Sequence, residues 1–153
     1  MEEYSENLVD HSTLLSADFQ KFLYDEQLSD VTIKVSKFKT IFGEDHQANP
    51  LVEIKAHKVV LASRCSYFYS QFCREWASTD PCFPEFSETP MREFLRYLYT
   101  GKLAIDLQTV MGVMKISSYF NIDSLVRACK HFLMSDALNA SNLCALYCEV
   151  RDS

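Results

Sequence analysis

Leu15, Phe19, Phe22 and Leu23 fall at i, i+4, i+7 and i+8, one apolar stripe of an amphipathic helix that Ser12 or Thr13 can cap. Residues 1–11 before it are polar and acidic and read as a loose tail. Val31, Ile33 and Val35 then alternate with Thr32 and Lys34, the period of a half-buried strand. Residues 36–50, with Gly43, Asn49 and Pro50, break the alternation and predict a loop. Val52, Ile54 and Ala56 resume it, so the two strands form a hairpin with one face inward. Lys58 to Ala62 reads as a short helical turn. A larger helix follows, with Phe68, Phe72 and Trp76 on its apolar face. Pro81 and Pro84 hold residues 82–86 extended, and Pro84 confines them to a sheet edge or a strand end.

The second half is helical. Thr89-Pro90 reads as a hydroxyl cap followed by proline in the first helical position. Met91, Phe94, Leu95 and Leu98 make the stripe of that helix, and Gly101 stops it. Leu103 and Ile105 suggest a brief extended piece. Asp106 and Asp123 are candidate caps for two more helices, the second carrying Leu125, Cys129, Phe132 and Leu133. Leu143, Leu146, Tyr147 and Val150 mark a last helix whose unspent apolar face suggests that the natural protein continues. Three or four short strands among six or seven helices make an α+β fold, a small sheet flanked by a cluster of helices.

Composition narrows the function classes. The chain has 153 residues, 48% of them hydrophobic and 24% charged, which suits one globular domain with an ordinary core. Its net charge of −6 disfavours nucleic acid. No apolar run reaches the roughly 18 residues of a membrane span. Glu2, Glu3 and Glu6 are the reverse of a secretory leader. The six cysteines, most in apolar helical patterns, read as reduced thiols used as small hydrophobes, so an intracellular protein is expected, cytoplasmic or nuclear. Asn139-Ala140-Ser141 matches a glycosylation sequon but has no secretory route to support it.

Catalytic and metal chemistry find little support. Cys144 and Cys148 share a helix face, yet zinc needs further ligands, and His131 has no partner at a usual spacing. Cys65, His57 and Asp30 form a triad only on paper, because no Gly-rich turn exposes the thiol and nothing supplies an oxyanion hole. Phosphate-cradling glycine motifs are absent. No enzyme, metal or cofactor is expected. The aromatic content, 13%, fits a packed core and also an aromatic surface for a partner.

Five ordered segments resemble the BTB/POZ family. They are Leu28-Ser29-Asp30-Val31-Thr32-Ile33-Lys34-Val35, Ala56-His57-Lys58-Val59-Val60-Leu61-Ala62-Ser63, Ser66-Tyr67-Phe68 with Phe72, Phe94-Leu95-Arg96-Tyr97-Leu98-Tyr99-Thr100-Gly101, and Ala128-Cys129-Lys130-His131-Phe132-Leu133. The resemblance runs from about Leu14 to Tyr147, and the segment from Leu138 on resembles the start of a 3-box/BACK region. It implies an acidic tail and N-terminal dimerisation helix over residues 1–27, a BTB core over 28–135 and a 3-box/BACK start over 136–153.

The resemblance also implies a homodimer. Its interface would hold Leu14, Leu15, Phe19, Phe22 and Leu23, with Asp30 and Lys58 as a charged pocket beside them. The alternative is a helix folded back on its own domain. A cullin-3 scaffold is the implied second partner, met by Phe72, Arg74, Glu75, Trp76 and Ser78 and by a second region at Tyr119, Phe120 and Asn121. The family's hydrophobic-x-Glu motif is altered: Trp76-Ala77-Ser78 lacks the Glu, and Cys73-Arg74-Glu75 keeps it behind a weak hydrophobe. The implied function is a non-enzymatic ubiquitin-ligase adaptor whose substrate is gripped by domains outside this chain. The alternative is a BTB scaffold for oligomerisation or for peptide and co-repressor docking without cullin.

Overall fold

The computed structural model describes residues 8–38, 49–74 and 80–135. Helix α1 (Ser12–Gln20) leads to β1 (Val31–Ser36), β2 (Leu51–Ala56), α2 (Lys58–Arg64) and α3 (Ser66–Phe72). Then come β3 (Cys82–Ser87), α4 (Glu88–Thr100), α5 (Val110–Tyr119) and α6 (Asp123–Ser135). The sheet has the order β2-β1-β3, with β1 antiparallel to β2 and parallel to β3. Val31, Ile33 and Val35 stand opposite Ala56, Ile54 and Val52, and this face enters the core as the alternation requires. The sheet is irregular between Val35 and Ser36, which pair with Phe83 and Ser87. Pro84 therefore lies on an edge strand beside a bulge, where its missing N–H breaks no ladder.

The core joins that face to α4 and α5. Met91, Phe94, Leu95 and Leu98 are buried along α4, and Val113, Ile116 and Phe120 face them from α5 and its C-terminal turn. Gly101 ends α4 at φ 72°, a left-handed conformation that favours glycine, and its N–H bonds the Tyr97 carbonyl. Gly112 has another purpose. A Cβ there would lie 2.8 Å from the Pro90 ring, so α5 crosses the start of α4 more closely than alanine permits.

Several local expectations shift. α4 starts at Glu88 after Ser87, so Pro90 stands inside the first turn, where its missing N–H is still harmless. Residues 102–106 form no strand. The Asp106 carboxylate accepts from the Gln108 N–H, the Thr109 N–H and the Thr109 hydroxyl, each at 2.9 Å, and caps the turn that precedes α5. The stripe Leu15–Leu23 is divided, because α1 ends at Gln20 while Phe22 and Leu23 sit in the following turn, half-buried on the core. Of the described cysteines, Cys65 and Cys129 are buried as expected, whereas Cys73 and Cys82 are exposed. Burial pushes the Cys129 thiol up to about 11, which suits a core hydrophobe. The helix expected near 143–150, the sequon, and Cys144 with Cys148 lie outside the described residues.

Candidate partner-binding surfaces

The first surface is α1. It buries none of its side chains. Leu14, Leu15 and Phe19 are 59%, 58% and 42% exposed, and Leu8 and Val9 just upstream are also exposed. The helix is nonetheless fastened to its own chain. The Ser16 hydroxyl donates to the Thr100 carbonyl at 3.3 Å, and the Tyr24 hydroxyl to the Arg92 carbonyl at 3.3 Å. The Arg92 guanidinium lies 5.1 Å from the centre of the Tyr24 ring, a cation–π contact.

Phe22 sets its ring edge-on to His57, with centroids 5.8 Å apart. His57 is 5% exposed. Its peptide N–H donates to the Tyr99 hydroxyl at 2.9 Å, and its Nδ1 lies 2.8 Å from the same oxygen. One phenolic oxygen thus serves both the backbone and the ring of His57. Nε2 has no hydrogen-bond partner among the described residues. Tyr99 is pushed up to about 12, first by burial and further by the Asp30 charge, with the His57 N–H acting in the opposite direction.

Asp30 and Lys58 do meet, though through the backbone. The Asp30 carboxylate accepts from the Lys58 N–H at 2.7 Å and so caps α2, whose N-cap residue His57 makes no side-chain cap bond. The Lys58 ammonium turns away, 5.6 Å from the centre of the Phe72 ring.

The second surface is aromatic. Phe120, 1% exposed, is the hub. Its ring centre lies 4.9 Å from Phe68, 5.1 Å from Tyr67 and 5.3 Å from both Phe83 and Phe94. Phe120 therefore supports Tyr119 from beneath and is itself covered. Tyr119 is 48% exposed and packs on Phe83, Phe86 and Tyr67. Asn121 follows at φ 58°, exposed, a left-handed conformation that asparagine tolerates. Phe72 is half-buried and stacked on Phe68, and Arg74 is exposed. Tyr67 is shifted upward by burial and by its neighbour Tyr119, with Arg74 opposing and Glu85 adding. Glu75, Trp76 and Ser78 lie outside the described residues.

The paper triad does not assemble. His57 is engaged by Tyr99, while the Cys65 thiol sits 3.8 Å from the Phe120 carbonyl oxygen. No group of three or more metal-ligating side chains comes together among the described residues. Among the described residues no helix is long and apolar enough to cross a membrane.

Residues 19–137 match the family model described as BTB/POZ domain. The chain belongs to the BTB/POZ family. Among curated proteins it is 34% identical to Kelch-like protein 24 of Homo sapiens over 84 residues, 53% of this chain and 14% of that protein. It is 28% identical to BTB/POZ domain-containing protein 6 of Xenopus laevis over 101 residues, 65% of this chain and 19% of that protein. The chain thus spans less than a fifth of the length of these relatives. Among solved structures, the BTB domain of zebrafish PATZ1 superposes with a TM-score of 0.63 at 21% identity, covering 88% of this chain and 100% of that one. The BTB domain of human Gigaxonin gives 0.63 at 21% identity, covering 86% of this chain and 100% of that one. The expected α+β BTB fold is the fold observed, six helices around a three-stranded sheet among the described residues.

Sequence reasoning passed over Tyr99 as a partner for His57. It also passed over Leu8, Val9, Val59 and Tyr69, all exposed. Periodicity finds apolar residues that repeat and does not say which are left uncovered.

Proposed function

We propose that this BTB/POZ domain is a non-enzymatic, homodimerising interaction module and the cullin-3-recruiting adaptor part of a ubiquitin-ligase substrate receptor. Residues 1–27 would serve the dimer, 28–135 form the core, and 136–153 begin a 3-box/BACK region. The substrate would be held by domains outside this chain. The observation that carries the reading is a helix with no buried side chain that shows solvent Leu14, Leu15 and Phe19. Singly exposed apolar residues are ordinary, but several on one short helix mark an interface. The adaptor role draws on family membership, on the kelch-like name of one set of relatives, and on the aromatic surface around Tyr119, Phe72 and Arg74.

Two measurements test the reading in turn. Light scattering of the chain should give twice its 17.7 kDa mass, and a monomer at high concentration removes the dimer. Calorimetric titration with the N-terminal region of cullin-3 should give heat that falls in Trp76→Ala, since buried aromatics dominate such contacts. Absence of heat leaves the oligomeric or peptide-docking scaffold in its place.

A further inference from the structure

We propose that the outer edge of β2 is a second self-association surface, independent of α1, on which a second copy pairs its own β2 antiparallel around Ile54.

Hydrogen-bond directions along β2 define the edge. The Ala56 carbonyl accepts from Asp30 and the Pro50 carbonyl from Lys37, both on the β1 side. In an antiparallel ladder a residue points its N–H and C=O to one side and its neighbour points to the other. Residues 50, 52, 54 and 56 therefore face β1, and the main-chain groups of Leu51, Glu53 and Lys55 face outward. β1 is the only sheet neighbour of β2 among the described residues. Leu51 and Glu53 are exposed and Lys55 is half-exposed.

Charge chooses the register. Edge strands are commonly blunted by lysines, because like charges repel a second copy. This edge carries one carboxylate and one ammonium two residues apart. Two copies related by a two-fold axis at Ile54 put Glu53 of each opposite Lys55 of the other. These are also the residues whose main-chain groups point outward, so each such pair exchanges both of its backbone hydrogen bonds. Centring on Glu53 would instead oppose two carboxylates, and centring on Lys55 two ammonium groups. Within one copy Glu53 stands opposite Lys34, and the Lys55 ammonium donates to the Thr32 hydroxyl at 3.0 Å. Across the joined sheets every Glu53 would then lie between two lysines. The contact is short and sits at the weak, transient end of interface size.

Amide hydrogen exchange of the 153-residue chain tests this at low concentration and at roughly millimolar concentration, where contacts of about −4 kcal/mol fill. The Glu53 and Lys55 amides should slow on concentration, while those of Val52 and Ile54, bonded to β1, stay protected throughout. Glu53→Lys and Lys55→Glu each turn facing pairs repulsive and should raise the dissociation constant roughly tenfold or more. The double exchange E53K/K55E restores opposite charges and should return protection to within about threefold of the parent. Equal exchange rates at both concentrations, indifference to the single reversals, or no recovery in the double variant would each overturn the proposal. A Leu15→Glu/Phe19→Glu variant run alongside reports the helix contact through mass at low concentration, where the β2 contact is empty, so failure of the dimer reading and failure of this one appear in different observables.

Discussion

The two ends of this domain solve the burial problem in opposite ways. Around Phe120, rings from α3, β3, α4 and the end of α5 enclose one another, and Phe68 and Phe94 have no exposed surface at all. Along α1 the chain spends similar residue types and buries none of them. A fold gains nothing from a leucine left in water, whereas an association does. The difference separates residues that the fold encloses from residues that it leaves uncovered, although both look alike as letters.

Substitutions can break that contrast, beginning where the effect is largest. Phe120→Ala removes the hub ring and should cost about 3–5 kcal/mol in chemical denaturation. A loss below about 1 kcal/mol would mean that the cluster is not the core. Gly112→Ala drives a methyl group into the Pro90 ring at 2.8 Å and should cost roughly 1–3 kcal/mol by parting α4 from α5. Neutral thermal melting would dispute that close approach.

Tyr99→Phe leaves the His57 N–H and ring nitrogen without their shared partner inside the domain, worth roughly 1–3 kcal/mol. It should also change the response to alkali. The folded phenol is raised from 10.0 to about 12, so the unfolded chain loses its proton first. The stability due to the neutral phenol is complete below pH 10 and declines as pH rises toward 12. Urea midpoints across that range should fall in the parent, and the tyrosine share of the fall should vanish in the variant.

The smallest stability effect belongs to α1. Leu15→Glu with Phe19→Glu should alter the melting of an isolated copy by about 0.5 kcal/mol or less, because neither side chain is buried. The same change should abolish the proposed dimer, leaving a monomer mass in light scattering. A large loss of stability would instead return the helix to the core and erase the contrast.

Much of the layout was legible in the letters. Alternation at Val31, Ile33 and Val35 placed β1 and its inward face, and Gly101 placed the end of α4. Pro84 confined its segment to a sheet edge or a strand end, and β3 is an edge strand. What was not legible depends on distant neighbours. A 3.6-residue period joined Phe22 and Leu23 to Leu15 and Phe19, yet the chain turns after Gln20 and only the later pair reaches the core. Phe120 read as a surface contact because sequence cannot tell a ring beneath a surface from a ring upon it. Asp30 and Lys58 read as a charged pocket beside the dimer interface. The Asp30 carboxylate also accepts the Lys58 N–H, a role that no side-chain pattern records. Gly112, a glycine inside a helix, carries a signal of close packing that periodicity does not read.

Ser16 and Tyr24 tie α1 to carbonyls of its own α4. Two copies meeting on that helix would each keep their own, with no exchange of α1 between them. Separation would then require no unfolding, so mixed pairs should arise by simple mixing of differently tagged preparations, on the timescale of dissociation rather than of refolding.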